Sequence, residues 1–113
     1  MPVEHQVTQP GDGVTFPRKG DKVKFHYVGK DSAGKEFDNT YTDHDRPFET
    51  EIGTGKVIQG WDQGIMKLSK GEKARLTITP DLAFGSEGMP PVIPANATLI
   101  FDIWLLDITP RRH

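Results

Sequence analysis

The 113-residue chain contains no cysteine, which excludes disulfide bonds, thiolate metal ligands and cysteine nucleophiles. No stretch approaches the about 20 consecutive apolar residues that a membrane-spanning helix needs. The first residues, MPVEHQVTQPGDG, lack the basic start and apolar centre of a secretory signal. The net charge is −2, so there is no basic excess to suggest nucleic acid or an anionic membrane as a partner. We therefore expect a cytoplasmic protein, with a nuclear location also compatible.

Glycine and proline, by contrast, are plentiful, with 12 and 9 copies. They are spread along the chain between apolar runs, which is typical of turns and not of low-complexity sequence. The chain shows no internal repeat and no linker. Its length predicts a single domain over residues 1–113.

Alternation of apolar and polar residues predicts most of the strands. It is clearest in KVKFHYVG (22–29), EKARLTIT (72–79) and TLIFDIWLLDI (98–108), and weaker in VEHQVTQ (3–9) and PFETEI (47–52). The segment KDSAGK (30–35) has the composition of a hairpin turn. The segment KLSKGEK (67–73) is most simply a solvated turn.

Only residues 58–67, IQGWDQGIMK, have a helical pattern. Ile58, Trp61, Ile65 and Leu68 recur at helical spacing and form one apolar stripe. Such a short helix is marginal alone and must pack against something. The predicted fold class is therefore α+β, an antiparallel β-sheet wrapped around one short α-helix.

Trp61 lies close to two glycines, Gly60 and Gly64, in this helix. Glycine disfavours a helix by about 0.5–1 kcal/mol relative to alanine, so its presence needs a reason. Two interpretations remain open. Missing side chains could let the helix approach the sheet closely and the indole lie flat as a pocket floor, or Trp61 is an ordinary core residue.

Common catalytic constellations are missing from the sequence. GTGKVIQG lacks the spacing of a phosphate-binding loop, and no serine lies in a GxSxG elbow. The four histidines have neither i,i+4 spacing nor a clustered carboxylate partner, so we expect no metal and no cofactor. Aromatic residues beside turns, such as Phe37, Phe48 and Phe84, are instead typical of a pocket mouth, with Asp38 at its rim.

Four long motifs carry a family resemblance: HYVGKDSAGKEFDNT, RPFETEIGTGKVIQGWDQGI, LSKGEKARLTITPDLAFG and PPVIPANATLIFDIWLLDI. Together they resemble the FK506-binding family of peptidyl-prolyl cis–trans isomerases over nearly the whole chain and in the right order. The resemblance implies a sheet wrapped around one short helix, with a pocket between them.

The resemblance also implies a site, carried over motif by motif. The residues implied in catalysis are Tyr27, Phe37, Asp38, Trp61, Phe84 and Phe101. The residues implied in ligand binding are Phe48, Val57, Ile58, Met89, Pro90, Pro91, Val92 and Ile93. In this scheme the indole forms the floor, the Ile58 N–H donates to a bound carbonyl, and Asp38 accepts a hydrogen bond from the ligand.

The implied activity is rotation about X–Pro bonds in peptides and proteins, which requires no acid, base, nucleophile or metal. Members of this family also bind FK506 and rapamycin, and then present a composite surface to calcineurin or to the TOR kinase. A rival hypothesis is a regulatory binding module that acts on a partner protein, with turnover incidental.

The sequence departs from the family pattern at three places. Phe84 stands where tyrosine is common, so a hydroxyl donor to ligand carbonyls is lost. The segment DNTYTDHDRPF lacks an arginine at the usual distance after the Asp38 motif; Arg46 lies next to Pro47 instead. Lys56 stands where an acidic residue is often seen, which changes a contact at the rim.

The loop tip GMPPVIP (88–94) supports a further hypothesis. Met89-Pro90-Pro91 is apolar and resembles the pocket's own substrate, which predicts weak self-association by insertion of one molecule's Pro90 or Pro91 into another's pocket. The alternative is a loop that its prolines merely stiffen.

Overall fold

The computed structural model describes residues 3–111, and these residues form six strands and several short helical segments. The strands are β1 Val3–Gln9, β2 Lys22–Asp31, β3 Glu36–Asn39, β4 Phe48–Glu51, β5 Lys73–Ile78 and β6 Leu99–Thr109. The helix α1 spans Gln59–Gly64, and single turns follow 3-10 geometry at Ile65–Lys67 and Pro80–Leu82 and π geometry at Thr40–His44. None of the helices within this part of the chain is long and apolar enough to cross a membrane.

All six strands belong to one antiparallel sheet with the order β1-β5-β6-β2-β3, and β4 pairs directly with the first residues of β2, Lys22 to Phe25. The longest pairing joins β2 and β6, from Lys22 opposite Thr109 to Asp31 opposite Leu99. The helix α1 packs on one face of this sheet. The predicted fold class is confirmed.

The predicted hairpin between β2 and β3 is confirmed, and Asp31 organises it. The Asp31 carboxylate accepts hydrogen bonds from the N–H groups of Ala33 and Lys35 at 3.0 and 2.9 Å. The Asp31 N–H also donates to the Lys35 carbonyl at 2.9 Å. A short side chain that bonds the backbone two residues on is the usual reason for aspartate in a turn.

The core lies between α1 and the inner face of the sheet. Along β6, Leu99, Phe101, Ile103 and Leu105 are buried, whereas the alternate residues are only partly buried. This period of two is the pattern expected where one face of a sheet is covered more fully than the other.

Gly60 explains how α1 comes so close to the sheet. A Cβ atom at Gly60 would lie only 2.4 Å from Cγ2 of Ile78, which is fully buried on β5. At Gly64 a Cβ would lie 2.7 Å from Cδ1 of Leu76. Both glycines therefore face the sheet, and the close-approach interpretation accounts for them.

The prediction that only residues 58–67 are helical is wrong, because Thr40–His44 also forms a helical turn. The Asn39 side chain accepts hydrogen bonds from the N–H groups of Tyr41 and Thr42 at 2.9 and 3.3 Å. The turn ends at Asp45 in the left-handed region, at φ 53°, which aspartate tolerates better than most residues. No apolar period marks the turn in the sequence, since side-chain caps hold it together.

The prediction of a solvated turn at residues 67–73 is also wrong for its centre, where Leu68, Ser69 and Glu72 are buried. The Glu72 carboxylate accepts from the Ser69 N–H at 3.0 Å and contacts His5 Nε2 at 2.7 Å. Because β1 runs beside β5, it brings His5 to a carboxylate 67 positions away in the chain. His5 thus has a partner that sequence spacing could not reveal.

Candidate functional site

An apolar cleft of about 210 Å³ opens between α1, the sheet and the segment that leads into β6. We call it the aromatic cleft. Its lining consists of Tyr27, Phe37, Asp38, Val57, Ile58, Trp61, Phe84, Met89, Val92, Ile93 and Phe101. The strands supply Tyr27, Phe37, Asp38 and Phe101, the start of α1 supplies Val57, Ile58 and Trp61, and the loop 83–98 supplies the remainder.

Trp61 lies at the centre of an aromatic cluster. Its ring centroid is 4.9 Å from that of Tyr27, 5.0 Å from Phe101 and 5.3 Å from Phe25, all in edge-to-face arrangements. Such arrangements are preferred because the positive edge of one ring meets the negative face of another. The indole is only 7 % exposed, yet it lines the cleft. It therefore belongs both to the core and to the cleft surface.

The indole N–H of Trp61 is buried and has no hydrogen-bond partner within residues 3–111. Several aromatic rings lie around the indole, and aromatic rings are at best weak acceptors. The surface around the indole is accordingly apolar and suited to exclude water.

Gly29 holds two walls of the cleft close together, a role that the sequence did not predict. It lies on β2 opposite Phe101 of β6 and Asp38 of β3. A Cβ there would lie 2.8 Å from Phe37 and 2.9 Å from Phe101, whose rings meet edge to face at 5.7 Å and 87°. The signal that could have revealed this role is the glycine inside a predicted strand, since such glycines often mark a place where other groups approach the backbone closely.

The start of α1 supplies a backbone donor beside the cleft. Ile58 is the N-cap residue, and its carbonyl accepts from the N–H groups of Trp61 and Asp62. The first N–H groups of a helix have no acceptor within the helix, and none is found for the Ile58 N–H in residues 3–111. This N–H is therefore available to a bound carbonyl group.

The loop over the opening contributes Phe84, Met89, Val92 and Ile93 to the lining. Met89 and Ile93 exchange two backbone hydrogen bonds of 2.8 Å, which close the tip between them. Pro90 and Pro91 lie exposed at this tip and do not line the cleft. Met89 and Val92 are about half exposed, at 46 % and 50 %, so the tip presents an apolar surface.

Asp38 is the charged residue at the rim, and three donors hold its carboxylate. The Tyr27 hydroxyl donates to Oδ2. Oδ1 lies 2.9 Å from His44 Nε2 and accepts from the Asn39 N–H, also at 2.9 Å. The prediction that no histidine has a carboxylate partner is wrong for His44, as it is for His5. The missing arginine is thus replaced by a histidine that only the folded turn brings to Asp38.

The hydrogen bonds to the Asp38 carboxylate favour its charged form. Partial burial by itself raises the pKa of Asp38, but the hydrogen bonds from Tyr27, His44 and Asn39 outweigh it, so the pKa lies below its usual value. Burial, and then the hydrogen bond to Asp38, raise the pKa of the Tyr27 phenol. At neutral pH the carboxylate is therefore charged and the phenol neutral, with the phenol as donor. Because folding lowers the Asp38 pKa, the resulting stabilisation is present at neutral pH and lost under acid conditions as the carboxylate is protonated.

Phe48 lies outside the aromatic cleft. Its ring is 5.9 Å from that of Trp61, but its side chain is exposed and lines a neighbouring cleft of about 390 Å³. We call this the side cleft; its lining is Tyr27, Asp38, Thr40, His44, Arg46, Pro47 and Phe48. Tyr27 and Asp38 belong to both clefts. Phe48 is therefore placed to contact a ligand that extends from one cleft into the other.

A larger cleft of about 490 Å³ lies elsewhere, between residues 14–21 and 108–111. It contains Arg18, Lys19, Asp21 and Arg111 and only one aromatic residue, Phe16. Size alone would favour it, but its lining joins charged side chains to a single aromatic ring, whereas the aromatic cleft gathers five aromatic side chains around one carboxylate. The chemistry of the site is in the smaller aromatic cleft.

An antiparallel sheet around one short helix, with an aromatic cleft between them, defines a class of protein. Comparison with known sequences shows which class it is. Residues 13–106 match the family described as FKBP-type peptidyl-prolyl cis-trans isomerase. The chain belongs to this family and is an enzyme of that type.

Individual relatives give the same result. The chain is 53 % identical over 112 residues to FK506-binding protein 1A of Aspergillus fumigatus, covering 99 % of both chains. It is 48 % identical to a peptidyl-prolyl cis-trans isomerase of Schizosaccharomyces pombe, again over 99 % of both. The structure of FkpA from Escherichia coli matches with a TM-score of 0.86 and 42 % identity, over 96 % of this chain and 48 % of that one. The chain thus spans about half of that protein.

Proposed function

We propose that the aromatic cleft receives the proline ring of an X–Pro segment and accelerates rotation about the bond before it. The observation that carries this proposal is the combination of a water-excluding cleft around Trp61 with an available N–H at Ile58 and a carboxylate at the rim. A proline ring is apolar and suits the aromatic lining. The carbonyl beside it needs a donor, and the Ile58 N–H supplies one.

The physical basis is differential binding of the twisted amide. Rotation about a peptide bond faces a barrier of about 18–20 kcal/mol from amide resonance. The planar amide is more dipolar than the twisted one, so water stabilises the planar form preferentially. A dry cleft removes that preference, and shape together with the Ile58 donor favours the twisted form. Only interactions that are stronger in the transition state accelerate the step.

The test is an isomerisation assay on a short X–Pro peptide without a coupling protease, followed by fluorescence or by NMR exchange. We expect relaxation that becomes faster in proportion to protein concentration. Excess FK506, the proposed occupant of the same cleft, should abolish the acceleration. A rate equal to that in buffer, with folded protein at micromolar concentration, would refute the proposal.

FK506 and rapamycin are proposed to occupy the same cleft. Relatives of this chain carry the name FK506-binding protein, and the lining combines apolar walls with few polar groups, as small-molecule sites do. The complex would then present the exposed residues of the loop tip, together with the drug, to calcineurin or to the TOR kinase. Binding of either protein should depend strictly on the drug.

Replacing Phe84 with tyrosine is expected to strengthen FK506 binding about two- to tenfold. Phe84 lines the opening, and a hydroxyl there adds one donor toward a ligand carbonyl, worth about 0.5–1.5 kcal/mol net. Calorimetric titration of both proteins measures the difference. Phe16→Tyr, in the larger cleft, is the matched control and should leave the affinity unchanged. Equal affinity of Phe84→Tyr and the unmodified protein would contradict the expectation.

Weak self-association through the loop tip is also proposed, because Pro90 and Pro91 are exposed there beside apolar Met89 and Val92. We expect sedimentation to depend on concentration, and FK506 to suppress this dependence by filling the cleft. Pro90→Gly should weaken the association, whereas Pro110→Gly, remote from the loop, should not. If Pro90→Gly sediments like the unmodified protein at every concentration, the loop serves only as a rigid cover.

A further inference from the structure

We infer that His44 is a positioning residue for Asp38, which it holds in the orientation that a substrate in the aromatic cleft meets. The inference rests on the proposed function, since it concerns catalysis in the aromatic cleft. Its basis is the 2.9 Å contact between His44 Nε2 and Asp38 Oδ1.

The contact is built by local structure. Asn39 follows Asp38 on β3, and its side chain caps the turn Thr40–His44. The Asp45 N–H closes that turn on the Thr40 carbonyl. Thr40 is itself buried, and its hydroxyl accepts from the Tyr27 N–H at 2.8 Å. The turn is thus anchored to β2, and its last residue is directed back to the carboxylate at the rim.

The Asp38 carboxylate is left with one preferred orientation for a ligand. An ionised carboxylate offers about four acceptor positions on its two oxygens. Tyr27, Asn39 and His44 use three of them. Loss of His44 would free Oδ1 on its solvent side and let the carboxylate rotate away from Tyr27. His44 therefore acts through Asp38 and does not itself line the aromatic cleft.

His44 is the side chain of the side cleft that is in reach of Asp38 Oδ1, at 2.9 Å. The charged and titratable groups that face the side cleft with His44 are Tyr27, Asp38 and Arg46, while Asp43 and Asp45 flank it in the chain. Within residues 3–111, Arg46 makes no ion pair with Asp38, whereas His44 Nε2 lies 2.9 Å from Asp38 Oδ1.

The test compares His44→Ala and His44→Arg with the unmodified protein. The readout is kcat and KM, measured separately, on an uncharged X–Pro peptide without a coupling protease. We expect His44→Ala to lower kcat/KM about two- to fivefold, the range for an exposed pair of this kind. His44→Arg keeps a donor for the carboxylate and should restore most of the activity. His5→Gln, which alters a histidine–carboxylate pair outside both clefts, should keep the activity of the unmodified protein.

A double-mutant cycle shows whether His44 acts through Asp38. In an Asp38→Asn background, His44→Ala should have no further effect on kcat/KM. If His44→Ala matches the unmodified protein, or if its effect is equally large in the Asp38→Asn background, the inference is wrong. Failure of the unmodified protein to accelerate isomerisation at all would instead refute the proposed function, so the two failures are distinguishable.

Discussion

Trp61→Ala is expected to lower kcat/KM for an X–Pro peptide about 10- to 100-fold, which corresponds to about 1.4–2.7 kcal/mol of lost transition-state stabilisation. The indole provides apolar surface in the cleft and contacts both Tyr27 and Phe101. Its removal admits water to the place where the amide must be kept dry. Truncating a buried tryptophan also costs about 3–5 kcal/mol of stability, so the rate must be normalised to the folded fraction.

Trp61→Phe separates the two effects. Phenylalanine keeps an aromatic surface in the cleft and leaves no donor without a partner, whereas the indole N–H has none in the folded protein. We therefore expect smaller losses of both rate and stability than in Trp61→Ala. If Trp61→Ala, once corrected for unfolding, isomerises the peptide as fast as the unmodified protein, the desolvation mechanism is wrong.

Gly60→Ala is expected to destabilise the protein by about 1–3 kcal/mol in spite of better helix propensity. Alanine gains about 0.5–1 kcal/mol over glycine within a helix. The new Cβ, however, would lie 2.4 Å from Cγ2 and 2.6 Å from Cδ1 of Ile78. Ile78 is β-branched and fully buried, so it cannot turn aside, and overpacking of this kind costs more than the propensity returns. Urea unfolding measures the net change.

Two controls bear on this expectation. Gln63→Ala changes an exposed residue of the same helix and should alter stability by no more than about 0.5 kcal/mol. In an Ile78→Ala background the clash is absent, so Gly60→Ala should cost little or even stabilise. An increase in stability for Gly60→Ala alone would show that the helix and sheet have room to separate.

Much of the fold could be predicted because its signals are local. Alternation along residues 98–108 corresponds to the observed burial of Leu99, Phe101, Ile103 and Leu105. Asp31 and Gly34 marked the hairpin, since the Asp31 carboxylate bonds a nearby backbone N–H and Gly34 adopts a φ of 88°. The apolar stripe of the helix corresponds to burial of Trp61, Ile65 and Leu68. Periodicity of this kind is visible in the sequence whichever element the buried face packs against.

Several of the errors have a common cause, which is that they depend on pairs of residues far apart in the chain; the turn Thr40–His44, which local side-chain caps hold, is the exception. Glu72 looked solvated because its partner His5 belongs to the edge strand β1. The role of Gly29 required knowing that Phe37 and Phe101 meet above it. Phe48 was expected among the cleft walls, but the pairing of β4 with β2 places it in the side cleft.

The sequence by itself determines the strand pattern, the short helix, the family and the set of aromatic residues available for a site. Each of these is encoded in residue spacing or in contiguous motifs. Only the tertiary structure decided which of those residues share a cleft and which histidine holds Asp38. Register between distant strands and closure of a capped turn set those distances, and neither leaves a periodic trace in the order of the residues.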